Sequence, residues 1–140
     1  MAHITAKQRS RLYAVQALYQ WQSVGGDVKE MEFDFLNKRE GKISKAFFSE
    51  LFLGITSSIN ELDELMVKFL SREIDELGFV EKSILYLGIY ELKNSLEVPY
   101  KVVINECLRL CEDIAAEGAY KLINSTLDKL SEELREFERQ

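Results

Sequence analysis

Few residues in this chain could make or break bonds. It holds one histidine, His3, and two cysteines, Cys107 and Cys111. A Ser-His-Asp or Cys-His arrangement needs a histidine held by its surroundings. His3 sits at the start of the chain, in a segment expected to be mobile. Cys107 and Cys111 are four apart and share one helix face, so together they could offer two metal ligands. Zinc needs four protein ligands, or three and a water, and no second Cys/His pair exists. The thiols are therefore read as core residues in a reducing, cytoplasmic setting. No glycine-rich phosphate loop or dinucleotide fingerprint is present.

Carboxylates are the remaining candidates for chemistry. The segment 61–81 holds Glu61, Asp63, Glu64, Glu73, Asp75, Glu76 and Glu81 against only Lys68 and Arg72, a balance of −5. Such a cluster could be a general acid/base pair or a divalent-cation site. Acids mixed with bases on helices fit a solvated face better, or a docking face for a basic partner. Neither an enzyme nor a cofactor or metal site is expected.

Recognition chemistry is better represented. Residues 1–21 contain Lys7, Arg9 and Arg11 and no acid, so they carry +3 within a chain of net charge −6, which leaves −9 on the rest. A basic arm on an acidic body suggests a nucleic-acid contact at one end. A merely solvated basic terminus is the competing reading.

These residues must be positioned by helices. Over 6–23, Leu12, Val15, Leu18, Tyr19 and Gln22 recur at helical spacing, with Ala14 and Trp21 widening the apolar face. Arg9, Tyr13, Gln16 and Gln20 line the opposite, polar face. Gly25-Gly26 breaks this helix, and Asp27 is placed to cap a short one over 28–40 that turns Val28, Met31, Phe35 and Leu36 inward. Ser44 is placed to cap a long helix from Lys45, whose apolar residues run from Phe47 to Phe69 at spacings of three and four. That run predicts a central helix packed on two sides, with a break expected at Thr56-Ser57-Ser58. Gly78 marks a helix end, and a buried helix spans Val80 to Asn94. Pro99 suits the first turn of the next helix, and Gly118 separates that one from a last helix ending near Leu134. The charged tail beyond is expected to fray. Asn105 and Asn124, each among apolar neighbours, are read as satisfying buried polar groups.

No segment shows the period-two pattern of a strand. A 140-residue chain with 46% apolar residues, 30% charged residues and one proline can bury a sizeable core. No apolar run approaches the roughly 18 residues of a membrane span, and no secretion signal is evident. The expected fold is all-α, a bundle of about seven helices. It forms a single domain over 1–140, in two helical halves of about 1–70 and 71–140.

Two stretches are unusual together: Arg11-Leu-Tyr-Ala-Val-Gln-Ala-Leu-Tyr-Gln-Trp21, and Val98-Pro-Tyr-Lys-Val-Val-Ile-Asn-Glu106 followed by Lys121-Leu-Ile-Asn124 and Leu127-Asp-Lys129. In order and spacing they resemble the signatures of the NusB family across essentially the whole chain. The resemblance implies an all-α protein without catalytic activity. It implies binding to the boxA element of nascent ribosomal-RNA transcripts, together with NusE, a small-subunit ribosomal protein. It further implies a larger complex with NusA, NusG and RNA polymerase that suppresses early termination. Some members self-associate as homodimers when NusE is absent.

Carried over residue by residue, the family's arginine-rich N-terminal motif matches Lys7, Arg9 and Arg11. It is thinner here, with Gln8 where a further arginine is common, which implies a shallower salt dependence. Tyr19 matches a tyrosine implicated in RNA contact, yet it also falls on the apolar side of its helix, so stacking and packing compete. Gly118, Tyr120 and Lys121 match the start of the last helix, another part of the RNA surface. Asp75 and Glu81 match acidic positions near the RNA and NusE surfaces and are expected to bind the partner. Ser125 replaces a common glycine after Asn124, a swap expected to cost a close backbone approach. Two alternatives stay open. One is an RNA-binding accessory domain like that preceding rRNA cytosine methyltransferases, against which the chain length speaks. The other is a helical protein-interaction module.

Overall fold

A computed structural model describes residues 4–139, so His3 lies outside it. The described residues form seven α-helices and no strand: α1 (Ala6–Ser23), α2 (Val28–Asn37), α3 (Lys45–Ser57), α4 (Ile59–Phe69), α5 (Phe79–Asn94), α6 (Tyr100–Ile114) and α7 (Ala119–Leu134). Single 3₁₀ turns at Ile74–Glu76 and Glu136–Glu138 complete them. The all-α bundle expected from the sequence is what the chain adopts.

Local chemistry accounts for the helix ends. Thr5 and Gln8 form a reciprocal capping box at the start of α1, with both bonds at 3.0 Å. Asp27 caps α2 as expected, accepting from the amides of Lys29 and Glu30. Ser44 holds the cap position of α3 but makes no side-chain cap. Its amide instead donates to Ser10 Oγ on α1 at 2.8 Å, so it ties the α2–α3 link to the first helix. The break between α3 and α4 falls at Ser58, where Thr56, Ser57 and Ser58 all turn their hydroxyls back onto helix carbonyls.

The centre of the bundle differs from the sequence expectation. The long apolar run of 47–69 is not the central element; its two halves α3 and α4 pack beside α5. It is α5 that meets α1, α3, α4, α6 and α7. Residues Ser83 to Ile89 are buried without interruption, as are Glu91 and Leu92. A helix buried all round has no polar stripe, so its periodic signal is weak although its burial is greatest. Gly88 is required at its midpoint, because a Cβ there would lie 2.7 Å from Leu127 Cδ2 and 3.0 Å from Cys107 Sγ. Its absence lets α6 and α7 close onto α5.

Three charged side chains sit inside this core. Glu91 on α5 has no exposed surface. It accepts two bonds from Arg11 on α1, Nε at 2.9 Å and Nη2 at 3.0 Å, and Arg11 is itself buried. Burial alone would lower the Arg11 pKa, but the bonds and charge of Glu91 outweigh it and leave it raised. Arg135, also fully buried, donates to the carbonyls of Glu91, Leu92, Ser95 and Val98 at 2.7–3.1 Å and pairs with Glu138. It thus satisfies orphan carbonyls at the end of α5. The charged tail therefore does not fray: Glu138 also accepts from the Tyr100 amide, and Arg139 bonds to Asp128 and Ser131.

The cysteines are core thiols, as read from the sequence. Both are buried, and burial followed by the charge of Glu91 holds the Cys107 thiol well above its ordinary pKa. No group of three or more potential metal ligands occurs among the described residues.

Breaking a buried pair strands a charge. Arg11→Met and Glu91→Leu should each cost about 3–5 kcal/mol in urea unfolding, and the double variant clearly less than their sum. Additive losses would show that the pair is uncoupled.

Candidate nucleic-acid interface

The polar face expected on α1 is less exposed than its sequence suggests: Tyr13 packs edge-on against Phe35, Arg9 and Gln16 are half-buried, and Gln20 is exposed. Arg11 is not on the surface: it points along the apolar side of α1 and is held by Glu91. Helix spacing puts residue 11 in line with Ala14, Val15 and Leu18, all buried. This removes Arg11 from the cationic set read from the sequence and leaves exposed Lys7 and half-buried Arg9, which, two residues apart, point to different sides of the helix. Lys7 stands 5.3 Å from the centroid of the Phe47 ring. Arg9 crosses Gly41 and donates to the Lys42 carbonyl at 2.8 Å, which fixes part of its guanidinium. Tyr13 donates to the carbonyl of Glu40. Gln8 donates to Glu106 on α6 at 3.0 Å, so it lies on the seam between α1 and α6.

Tyr19 emerges at the other end of the same face, about 15 Å along the helix from Arg9. It is 45% exposed, and the apolar position inferred from spacing becomes an edge position. Its ring meets Phe79 edge-on, with centroids 6.1 Å apart and planes at 80°. Lys82 stands 5.9 Å over Phe79. Gln22 holds this end of α1 to the start of α5 by donating to Ser83 Oγ at 2.7 Å and to the Phe79 carbonyl at 3.2 Å. The paired rings thus rest on two helices locked together.

Val15, Gln16, Tyr19, Val80 and Ile114 line a shallow groove at this junction. A second groove follows around the start of α7, lined by Arg72, Glu76, Gly78, Glu81, Glu117 and Gly118 among others. Glu81 and Gly118, read from the sequence as belonging to different surfaces, share this groove. Asp75 is exposed on the adjoining 3₁₀ turn. Tyr120 is 42% exposed, and Lys121 is exposed beside it. Gly118 has φ +94°, a left-handed conformation that starts α7, and this backbone requirement explains glycine there, since a Cβ would meet open space.

The electrostatics are mixed. Lys7, Arg9 and Lys82 lie toward α1, whereas Glu76, Glu81 and Glu117 rim the start of α7. Phosphate is favoured at the first end and disfavoured at the second, where bases or a basic protein surface fit better. Part of the acidic segment already has partners within the chain: half-buried Asp63 accepts from Tyr86 at 2.5 Å, and Glu61 pairs with Lys93 at the surface.

Two readings from sequence need revision. Asn105 and Asn124 are exposed, and neither side chain is hydrogen-bonded among the described residues. Ser125 is exposed on α7, so the swap from glycine brings no close backbone approach there. Phe79 and Lys82 were not singled out by sequence reasoning. An aromatic residue four before a helix's first buried turn was the signal available for Phe79.

The NusB family model matches residues 8–132 of this chain. A transcription antitermination protein NusB from Baumannia cicadellinicola is 43% identical over 133 residues, covering 94% of this chain and 96% of its own. One from Pectobacterium carotovorum is 44% identical over 131 residues, covering 93% and 94%. Among solved structures, T. maritima NusB superposes with a TM-score of 0.84 at 25% identity, covering 94% of both chains. A crystal structure of antitermination factors NusB and NusE in complex with dsRNA gives 0.77 at 28% identity, covering 90% of this chain and 96% of that one.

The left-handed start of α7 gives a simple expectation. Gly118→Ala should destabilise the fold by about 1–2 kcal/mol in thermal unfolding through backbone strain alone. Gly118→Asn should cost less, since asparagine tolerates that conformation.

Proposed function

The chain belongs to the NusB family, and from that premise we propose that it is a transcription antitermination factor rather than an enzyme. It binds boxA-type RNA of nascent ribosomal-RNA transcripts in the cytoplasm. It does so as a heterodimer with NusE, and the pair nucleates a complex with NusA, NusG and RNA polymerase. Self-association as a homodimer is open to it when NusE is absent.

The observation that carries this reading is the set of accessible cationic and aromatic side chains on α1 and α7. Lys7 and Arg9 at one end of α1, Tyr19 at the other, and Gly118, Tyr120 and Lys121 at the start of α7 are all solvent-accessible, and Tyr19 and Gly118 each line a groove. Lys7 and Arg9 hold phosphates. Tyr19 and Tyr120 offer rings on which unpaired bases stack, the usual way single-stranded RNA is read. Asp75 and Glu81, in an acidic rim, meet the basic partner. Lys7, Arg9, Lys82 and Lys121 are offset by Glu76, Glu81 and Glu117 on the same side, so the electrostatic term is weak and NusE must supply much of the affinity.

NusE should raise the affinity for boxA-type RNA and not for a scrambled sequence, measured by fluorescence anisotropy. Equal binding of both RNAs with no gain from NusE would refute the proposal. Lys7→Ala and Arg9→Ala should each cost on the order of 1 kcal/mol or less, and each should flatten the salt slope by about 0.7 for the phosphate it no longer neutralises.

A further inference from the structure

The groove between α1, α5 and α6 holds an unsatisfied polar atom. Val15, Gln16, Tyr19, Val80 and Ile114 line a shallow, open groove of about 220 Å³, and four of these five side chains are largely carbon. Gln16 Oε1 is buried with no hydrogen-bond partner. Helix α1 repeats at 100° per residue, so Gln16 falls between Tyr19 and Arg9 on the face proposed to meet RNA. A buried acceptor without a donor is unusual in a folded chain and marks a place where a partner is missing. The torsion that aims a glutamine amide is soft, so the group can swing toward a donor that enters the groove.

We infer that this groove reads an adenine of the bound RNA, with Gln16 as the specificity-determining residue. This rests on the RNA-binding reading proposed above and adds a base identity to it. An occupant must bring a flat apolar body for Val15, Val80, Ile114 and the Tyr19 ring, and an N–H donor for Gln16 Oε1. An aliphatic side chain of a protein partner supplies the first and not the second. Uracil supplies an N–H, but flanked by two carbonyls that the apolar walls would leave unsatisfied. Adenine has no carbonyl. Its N6 amine donates to Oε1, and its ring nitrogen accepts from the same amide, the bidentate pairing that glutamine makes with this base. Tyr19, steadied edge-on by Phe79, closes one side.

The test uses the full-length protein with NusE and a boxA-type RNA. Each adenine is replaced in turn by purine riboside, which lacks only the N6 amine. At one position the replacement should weaken wild-type binding about ten-fold. In Gln16→Leu that penalty should vanish, with the two RNAs bound alike. A wild type indifferent to every replacement would overturn the inference, as would a penalty that persists in Gln16→Leu. So would a Gln16→Leu variant that weakens NusE binding and leaves RNA discrimination intact. If Gln16→Leu does not fold, the side-chain amide resonance of Gln16 in the wild type decides. It should shift with the adenine RNA and not with its purine-riboside counterpart; equal shifts would overturn the inference. Failure of the wild type to prefer boxA-type over scrambled RNA would instead remove the RNA-binding reading beneath it.

Discussion

Glu91 carries a carboxylate into the middle of the most buried helix, where an unpaired charge would cost several kcal/mol. Two arginines from opposite ends of the chain converge on that residue. Arg11 of α1 takes its side chain, and Arg135 at the end of α7 takes its carbonyl and those beyond it. The first and last helices are thereby fixed to α5. These are also the helices that carry the proposed RNA surface, so its shape depends on charges that never meet solvent. Replacing the pair with apolar residues could keep the fold. Losing one partner alone would loosen α1 just where Lys7, Arg9 and Tyr19 must be held.

The surface built on this scaffold is weak in charge and specific in shape. Cations sit at one end of α1 and carboxylates around the start of α7, with aromatic rings between. Phosphate attraction therefore cannot be the main source of discrimination. Base stacking and edge recognition are better matched to the middle of the surface, and the acidic rim to a basic protein. A composite site of this kind gains affinity when a second protein completes it, which is why the partner matters more here than net charge would suggest.

Much of the fold was legible from the sequence. Helix positions, the Asp27 cap, the break near Ser58 and the core thiols all follow from local spacing and turn chemistry. The identity of the central helix did not, because burial on every side erases the polar stripe that periodicity detects. Arg11 was misplaced for a related reason. Its charge drew it to the surface reading, although its spacing with Ala14, Val15 and Leu18 pointed inward and Glu91 offered a partner among apolar residues. Arg135 was hidden in a charged tail that composition alone marks as frayed. Tyr19 lay on the border between faces, which spacing cannot resolve, and only the contact with Phe79 places it at the edge.

The central claim is that the accessible side chains of α1 and of the start of α7 meet RNA. Mapping amide chemical shifts on the protein during titration with boxA-type RNA, and again with NusE present, tests it most directly. The account predicts perturbations at Lys7, Arg9, Tyr19 and Gly118 through Lys121, with the NusE footprint meeting them near Asp75 and Glu81. Perturbations confined to α2–α4, with α1 and the start of α7 silent, would contradict it.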